Sequence, residues 1–125
     1  MKVTRFEDLE VWQQARDLTR QVYRLTANGS FSRDYGLKDQ MRRASVSTMA
    51  NIAEGFSRRG DKEFCQFLFV AKSSAAELQS HAYVALDQAY ITEADFKTLS
   101  QSLDHVSRML SNLIKHLLRP ARQTR

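Results

Sequence analysis

The sequence predicts an all-α protein, an up-down-up-down antiparallel four-helix bundle. Three observations carry that prediction. A single proline stands in 125 residues, at Pro120, so no proline interrupts a helix before the end of the chain. Apolar residues recur at spacings of three and four through four long stretches. No stretch alternates β-branched and polar residues as a half-buried strand does. Short connections between long amphipathic helices make neighbours antiparallel. The length is that of one domain, taken as residues 1–125.

The first helix is expected over residues 6–27. Val11, Ala15, Leu18, Val22 and Leu25 fall on one face. Asn28-Gly29-Ser30 ends it, since Asn and Gly tolerate the left-handed conformation. The second helix is expected over residues 35–56, opening near Asp34 or Gly36. Leu37, Met41, Ala44, Thr48 and Ile52 form its apolar stripe, and Ser57-Arg58-Arg59-Gly60 reads as a turn.

The third helix is expected over residues 61–89, with Asp61 as its N-cap. Phe64, Phe67, Leu68, Ala71, Ala75, Leu78, Ala82, Ala85 and Leu86 face one way. The fourth is expected over residues 92–119. Thr92 caps it, with Asp95 where a capping box has Glu. Phe96, Leu99, Leu103, Val106, Leu110, Leu113 and Leu117 make a heptad stripe. Residues 120–125 read as a flexible basic tail.

Two helices carry more apolar surface than a solitary bundle needs. In the second, Val46, Met49 and Ala53 widen the apolar arc. In the third, Cys65, Phe69, Ala76 and Tyr83 cluster opposite the core stripe. A helix apolar on two sides is buried on two sides, so these seven positions are expected at an interface between subunits. The alternative is scattered surface hydrophobes.

A polar strip also runs along the second helix. Gln40, Ser47, Asn51, Glu54 and Arg58 share it, Arg43 is adjacent, and Glu77 on the third helix is a candidate partner. Such a row either satisfies itself and fixes helix register or lines a ligand groove. No nucleophile or metal constellation accompanies it, which favours the structural reading of Gln40, Ser47, Asn51, Glu54 and Glu77.

Little in the chain points to catalysis. His81, His105 and His116 lack metal-ligand spacing. Cys65 stands between Phe64 and Phe67 with no basic partner, and reads as a small hydrophobe. The four glycines form no phosphate loop. Glu54 and Glu77 could pair as acid and base, but the Glu-x-x-His pattern of di-metal bundles is missing. The expectation is therefore no enzyme, no metal and no cofactor. The single cysteine fits a reducing compartment, and no run has signal-peptide or membrane-spanning length, so a cytoplasmic location away from membranes is expected.

Charge gives the remaining lead. The net charge is +5, and residues 1–107 balance 14 Lys+Arg against 14 Asp+Glu. The excess lies in Arg108, Lys115, Arg119, Arg122 and Arg125. Arg108, Lys115 and Arg119 share a solvent face continuing to Arg122, with Asn112 among them. Arg42, Arg58, Arg59 and Lys62 are expected around the turn between the second and third helices. Without interleaved aromatics this pattern points to phosphate-backbone or shape recognition of nucleic acid. The competing account is compensation of a helix dipole plus solubility.

Val46-Ser47 with Asn51-Ile52-Ala53-Glu54-Gly55, then Arg58, Glu63-Phe64, Phe67-Leu68, Ala71, Ser74 and Glu77-Leu78, form a longer pattern. Phe6, Leu9, Val11-Trp12, Ala15, Tyr35-Gly36-Leu37, Gln40 and Arg43-Ala44 extend it. This resembles the bacterial four-helix bundle proteins related to the intervening-sequence protein of large-subunit ribosomal RNA genes, over residues 6 to about 118. The accessory proteins of diversity-generating retroelements are similar too. The resemblance implies a homopentameric barrel with a basic surface for RNA or DNA. Its alternative implication is a protein-interaction scaffold, such as an accessory subunit to a reverse transcriptase. Two positions depart from the family pattern: Ser73 stands where Gly is usual, and Ser32 where many members have Pro, so a looser turn is expected there.

Overall fold

The computed structural model describes residues 2–120 and contains four α-helices in the expected order. They are α1 (Glu10–Thr26), α2 (Tyr35–Phe56), α3 (Asp61–Asp87) and α4 (Glu93–Leu117). Two short 3-10 segments, Phe6–Asp8 and Gly29–Arg33, precede α1 and α2. The helices pack α1 on α2, α2 on α3, α3 on α4 and α4 back on α1, as an up-down-up-down bundle requires. No helix among the described residues is long and apolar enough to cross a membrane. The proposed tail, with Arg122, lies outside the described residues apart from Pro120.

Helix ends follow local chemistry, with three departures from expectation. The first helix does not run unbroken from Phe6. Leu9 is extended (φ −73°, ψ 125°), so a 3-10 turn precedes α1. Asp61 does not cap α3: Gly60 holds the cap position without a side-chain bond, and Asp61 opens the helix. There, with Glu63, its charge favours the helix dipole. The third helix stops at Asp87, since Ala89 takes a left-handed φ of 60°. Thr92 caps α4 as expected, and Asp34 is a further cap, at the start of α2. Asp34 Oδ1 accepts from Leu37 N at 3.1 Å, and Thr92 Oγ1 from Asp95 N at 3.0 Å.

The turn before α2 is tied down. Ser32 Oγ donates to Gly29 O at 2.7 Å, and Phe31 is fully buried against Tyr90, their rings stacked 5.0 Å apart. Burying one such aromatic is worth about 1.5–3 kcal/mol.

The core joins Leu18 and Val22 of α1, Met41 and Ile52 of α2, Leu68 and Leu78 of α3, and Leu99 and Leu110 of α4. Two buried hydroxyls donate within their own helix: Thr48 Oγ1 to Ala44 O at 2.9 Å, and Thr26 Oγ1 to Val22 O at 2.7 Å. In α4 the apolar stripe drifts. Leu113 and Leu117 are half-buried while Ile114 is buried. A straight helix has 3.6 residues per turn, so a strict heptad rotates off its face. In α2, Gly55 is a packing requirement. A Cβ there would stand 2.7 Å from Phe67 Cβ and 2.9 Å from Phe64 Cδ1.

Candidate nucleic-acid interface

Antiparallel packing brings the C-terminus of α2, the N-terminus of α3 and the C-terminus of α4 to one end of the bundle. Cys65 Sγ lies 3.9 Å from Ile114 O, which joins the first turns of α3 to the last turn of α4. Two cationic groups distant in sequence therefore share this end: Arg58, Arg59 and Lys62 on one side, Lys115 and Arg119 on the other.

Arg108 and Lys115 lie seven residues apart on the exposed face of α4, with Arg119 just beyond the helix. Arg108 pairs with Asp104 at 2.6 Å, yet its side chain stays 74% exposed. Lys115 is in no ion pair among the described residues. Arg119 Nη2 donates to His116 Nδ1 at 2.7 Å. Asn112, Lys115, His116, Leu118, Arg119 and Pro120 line an open groove of about 610 Å³. Such a groove offers N–H donors and positive charge to a phosphate oxygen.

The turn cations differ among themselves. Arg58 spans Glu54 (3.4 Å) and the face of Phe67 (4.6 Å), so it braces the end of α2 against α3. Arg59 and Lys62 are exposed and in no ion pair among the described residues.

Arg42 does not belong to this group, which corrects the expectation. It lies sixteen residues before Arg58 on the same helix, about 24 Å away. Its Nε donates to Thr26 Oγ1 at 2.8 Å, its Nη2 to Tyr23 O at 3.4 Å, and its plane covers the Tyr23 ring at 4.3 Å. A cation at the last turn of α1 meets free carbonyls and the negative end of the dipole.

The polar strip is shorter than expected. Ser47 Oγ and Ser74 Oγ lie 2.9 Å apart, and Asn51 Nδ2 donates to Ser47 O (2.8 Å) and Ser47 Oγ (3.1 Å). Ser74, not Glu77, is therefore the partner across from α3. Glu77 is exposed and meets His81 Nε2 at 3.3 Å. Gln40 is exposed, and Glu54 turns to Arg58. The two carboxylates, Glu54 and Glu77, thus have separate partners. No group of three His, Cys, Asp or Glu side chains among the described residues could hold a metal.

The apolar positions also divide. Phe69 (51% exposed) and Tyr83 (54%) stand out from α3, as Val46 does from α2. Ala76 is exposed, and Met49 and Ala53 are half-buried. Cys65 is a correction: at 3% exposure it lies inside the subunit's own core. Its position opposite the core stripe does not expose it, because α4 wraps over the first turns of α3 at Ile114. Burial, and next the negative charge of Asp61, push the thiol pKa up.

These features define an all-α bundle whose basic residues gather at one end and along the outer face of α4. Residues 7–112 match the 23S rRNA-intervening sequence protein family, and the chain belongs to that family. A solved structure from Bacteroides thetaiotaomicron, described as a protein of unknown function from the S23 ribosomal protein family, has a similar fold. It is 19% identical, with a TM-score of 0.77, and the match covers 84% of this chain and 98% of that one. At that identity the likeness speaks for the fold alone. No curated protein matches the chain.

Proposed function

We propose that this protein is a non-enzymatic, self-associating bundle that binds structured RNA through its phosphates. The row of Arg108, Lys115 and Arg119 carries the reading, with Arg59 and Lys62 at the same end. The family's name adds an association with ribosomal RNA genes, which describes where such genes lie. Arg58 contributes by holding the turn, and Arg122 extends the row in sequence.

Self-association is the second part. Phe69, Ala76 and Tyr83 repeat every seven residues along α3, and Val46 projects from α2. An exposed apolar row of this kind is a contact surface for another helix. The resemblance to pentameric relatives supports five copies.

Two measurements test this. Light scattering at tens of micromolar should give a mass near five times 14.4 kDa. Affinity for a structured RNA should fall at least tenfold between about 50 and 200 mM salt, because phosphate contacts release counterions. A monomer that retains no RNA at low salt overturns the proposal. An oligomer that retains none supports the scaffold reading in its place.

A further inference from the structure

We propose that Arg16, Arg20 and Arg24 of α1 form a second phosphate-contacting row, so that a nucleic-acid backbone spans the outer faces of α1 and α4. This inference rests on the RNA-binding reading above and extends it to a helix not yet assigned a role.

The three arginines recur every four residues and are all exposed. They form an i, i+4 ridge with cations about 6 Å apart along the helix, comparable to the distance between neighbouring phosphates on a strand. The helices α1 and α4 are direct neighbours: Gln21 Nε2 donates to Ser102 Oγ at 2.9 Å. A small cleft at their junction is lined by Arg24 and Gln21 of α1 and by Asp95 and Thr98 of α4.

Cations outnumber acids beyond the first turns of α1 and α4. Residues 11–26 and 97–119 hold seven Lys and Arg against two acids, Asp17 and Asp104, while the first turns of the two helices hold Glu10, Glu93 and Asp95. Asp17 and Asp104 are each paired with an arginine at 2.6 Å. Beyond its own first turn α3 carries one lysine, Lys72, against two acids, Glu77 and Asp87. Most large exposed apolar residues lie outside α1 and α4: Phe69, Val70, Tyr83 and Val84 on α3 and Tyr35 and Val46 on α2, with Val3 before α1, Tyr23 on α1 and Leu118 just beyond α4.

Internal needs do not account for the arginine ridge. Like charges at i, i+4 disfavour a helix. The dipole explains Arg24, in the last turn, but not Arg16 two turns earlier. Arg16 rests over Trp12 at 5.7 Å and Arg20 on Asp17, both in contact with solvent. Exposed pairs of this kind are weak, so a phosphate can compete for either guanidinium. Gln101, His105 and Asn112, all exposed on α4, add donors for phosphate and sugar oxygens.

The test uses a labelled duplex RNA of about 20 base pairs and the full-length chain. Replacing Arg16, Arg20 and Arg24 together by Ala should weaken binding at least tenfold at 50 mM salt. It should also flatten the plot of log affinity against log salt by roughly two to three, close to one per lost contact. The Lys triple variant should restore both values. Removing the same number of charges elsewhere, as Lys38→Ala, Arg43→Ala and Lys72→Ala, should change affinity far less. If the Ala triple does not fold, Arg16→Gln alone should flatten the slope by about one. Equal losses from both triple sets would mean net charge alone is read, and would overturn the inference. So would a wild-type slope in the α1 variant while Arg108→Ala with Lys115→Ala binds weakly, an outcome that leaves the RNA-binding reading standing. A wild-type chain that binds no RNA removes both.

Discussion

Tyr90 donates its phenol hydrogen to Asp34 Oδ2 at 2.9 Å, while Asp34 Oδ1 caps α2 by accepting from Leu37 N at 3.1 Å. One carboxylate thus ties the α3–α4 connection to the start of α2, and Phe31 stacks on the same phenol ring. The bond to Asp34, then burial, then the aspartate's charge raise the Tyr90 pKa. A raised pKa means the folded chain holds this proton more tightly than the unfolded one. The stabilisation is therefore full below the unfolded value near ~10 and is lost as pH rises through the folded value. Tyr90→Phe should lower the melting temperature at pH 7, and the gap from wild type should narrow above about pH 10. A gap unchanged from pH 7 to 11 would show that the bond contributes nothing. Asp34→Ala should cost more than Tyr90→Phe, because it also removes a cap worth about 1 kcal/mol.

Gly55 gives the second prediction. Gly→Ala inside a helix ordinarily stabilises by about 0.5–1 kcal/mol. Here the new methyl would meet Phe67 Cβ at 2.7 Å and Phe64 O at 3.2 Å. Backbone and Cβ atoms cannot swing away, so α2 and α3 must part. Gly55→Ala should therefore destabilise by about 1–3 kcal/mol in urea unfolding. A more stable variant would refute the close approach.

Ala89 reverses that sign. Tyr90 N donates to Ala85 O and Ala89 N to Leu86 O, both at 2.9 Å, which is the paired bonding that ends a helix in a left-handed residue. With φ at 60°, Ala89 carries a strain that glycine lacks. Ala89→Gly should raise stability by about 1 kcal/mol, read as a higher urea midpoint at unchanged m-value.

Cys65 distinguishes a core position from an interface one. Its buried thiol with a raised pKa holds little thiolate at pH 8. A disulfide reagent should label the native chain slowly and the urea-unfolded chain fast, and dilution to low micromolar should not speed the native reaction. Faster labelling on dilution would return Cys65 to a subunit interface.

How much of this was legible depends on the range of the forces involved. Periodicity placed Leu37, Met41, Ala44, Thr48 and Ile52 on one buried face, because burial repeats with the helix. Thr92 was legible as a cap because a cap acts within three residues. Cys65 was not, since its burial depends on Ile114, 49 residues away. Nor was Ser74 as the partner of Ser47, 27 residues apart. Glu77 was a candidate by its chemistry, but only the packing of α2 on α3 decides which side chain faces Ser47. Arg42 shows the same limit: its sequence offered a cation, and the fold supplied the end of α1.

Arg42 also supplies a contrast with the α4 row. Its guanidinium bonds Thr26 and Tyr23 O and covers the Tyr23 ring, so its removal takes the only cation from these groups at the end of α1 among the described residues. Arg42→Ala should cost about 1–2 kcal/mol of stability, since charge-assisted bonds and a cation over an aromatic face are both lost. RNA affinity in the folded variant should stay within about twofold, since the ring and the carbonyls already hold this cation. The triple replacement of Arg108, Lys115 and Arg119 by Ala should do the opposite. Arg108 and Arg119 have only local, exposed partners, and Lys115 has none among the described residues. The melting temperature should move little, as exposed pairs contribute under ~1 kcal/mol, while affinity for RNA falls at least tenfold. Measuring both quantities on both variants separates a cation that holds the fold from cations that meet a ligand. If Arg42→Ala loses affinity as steeply as the α4 triple, the cap assignment is wrong and Arg42 returns to the binding surface.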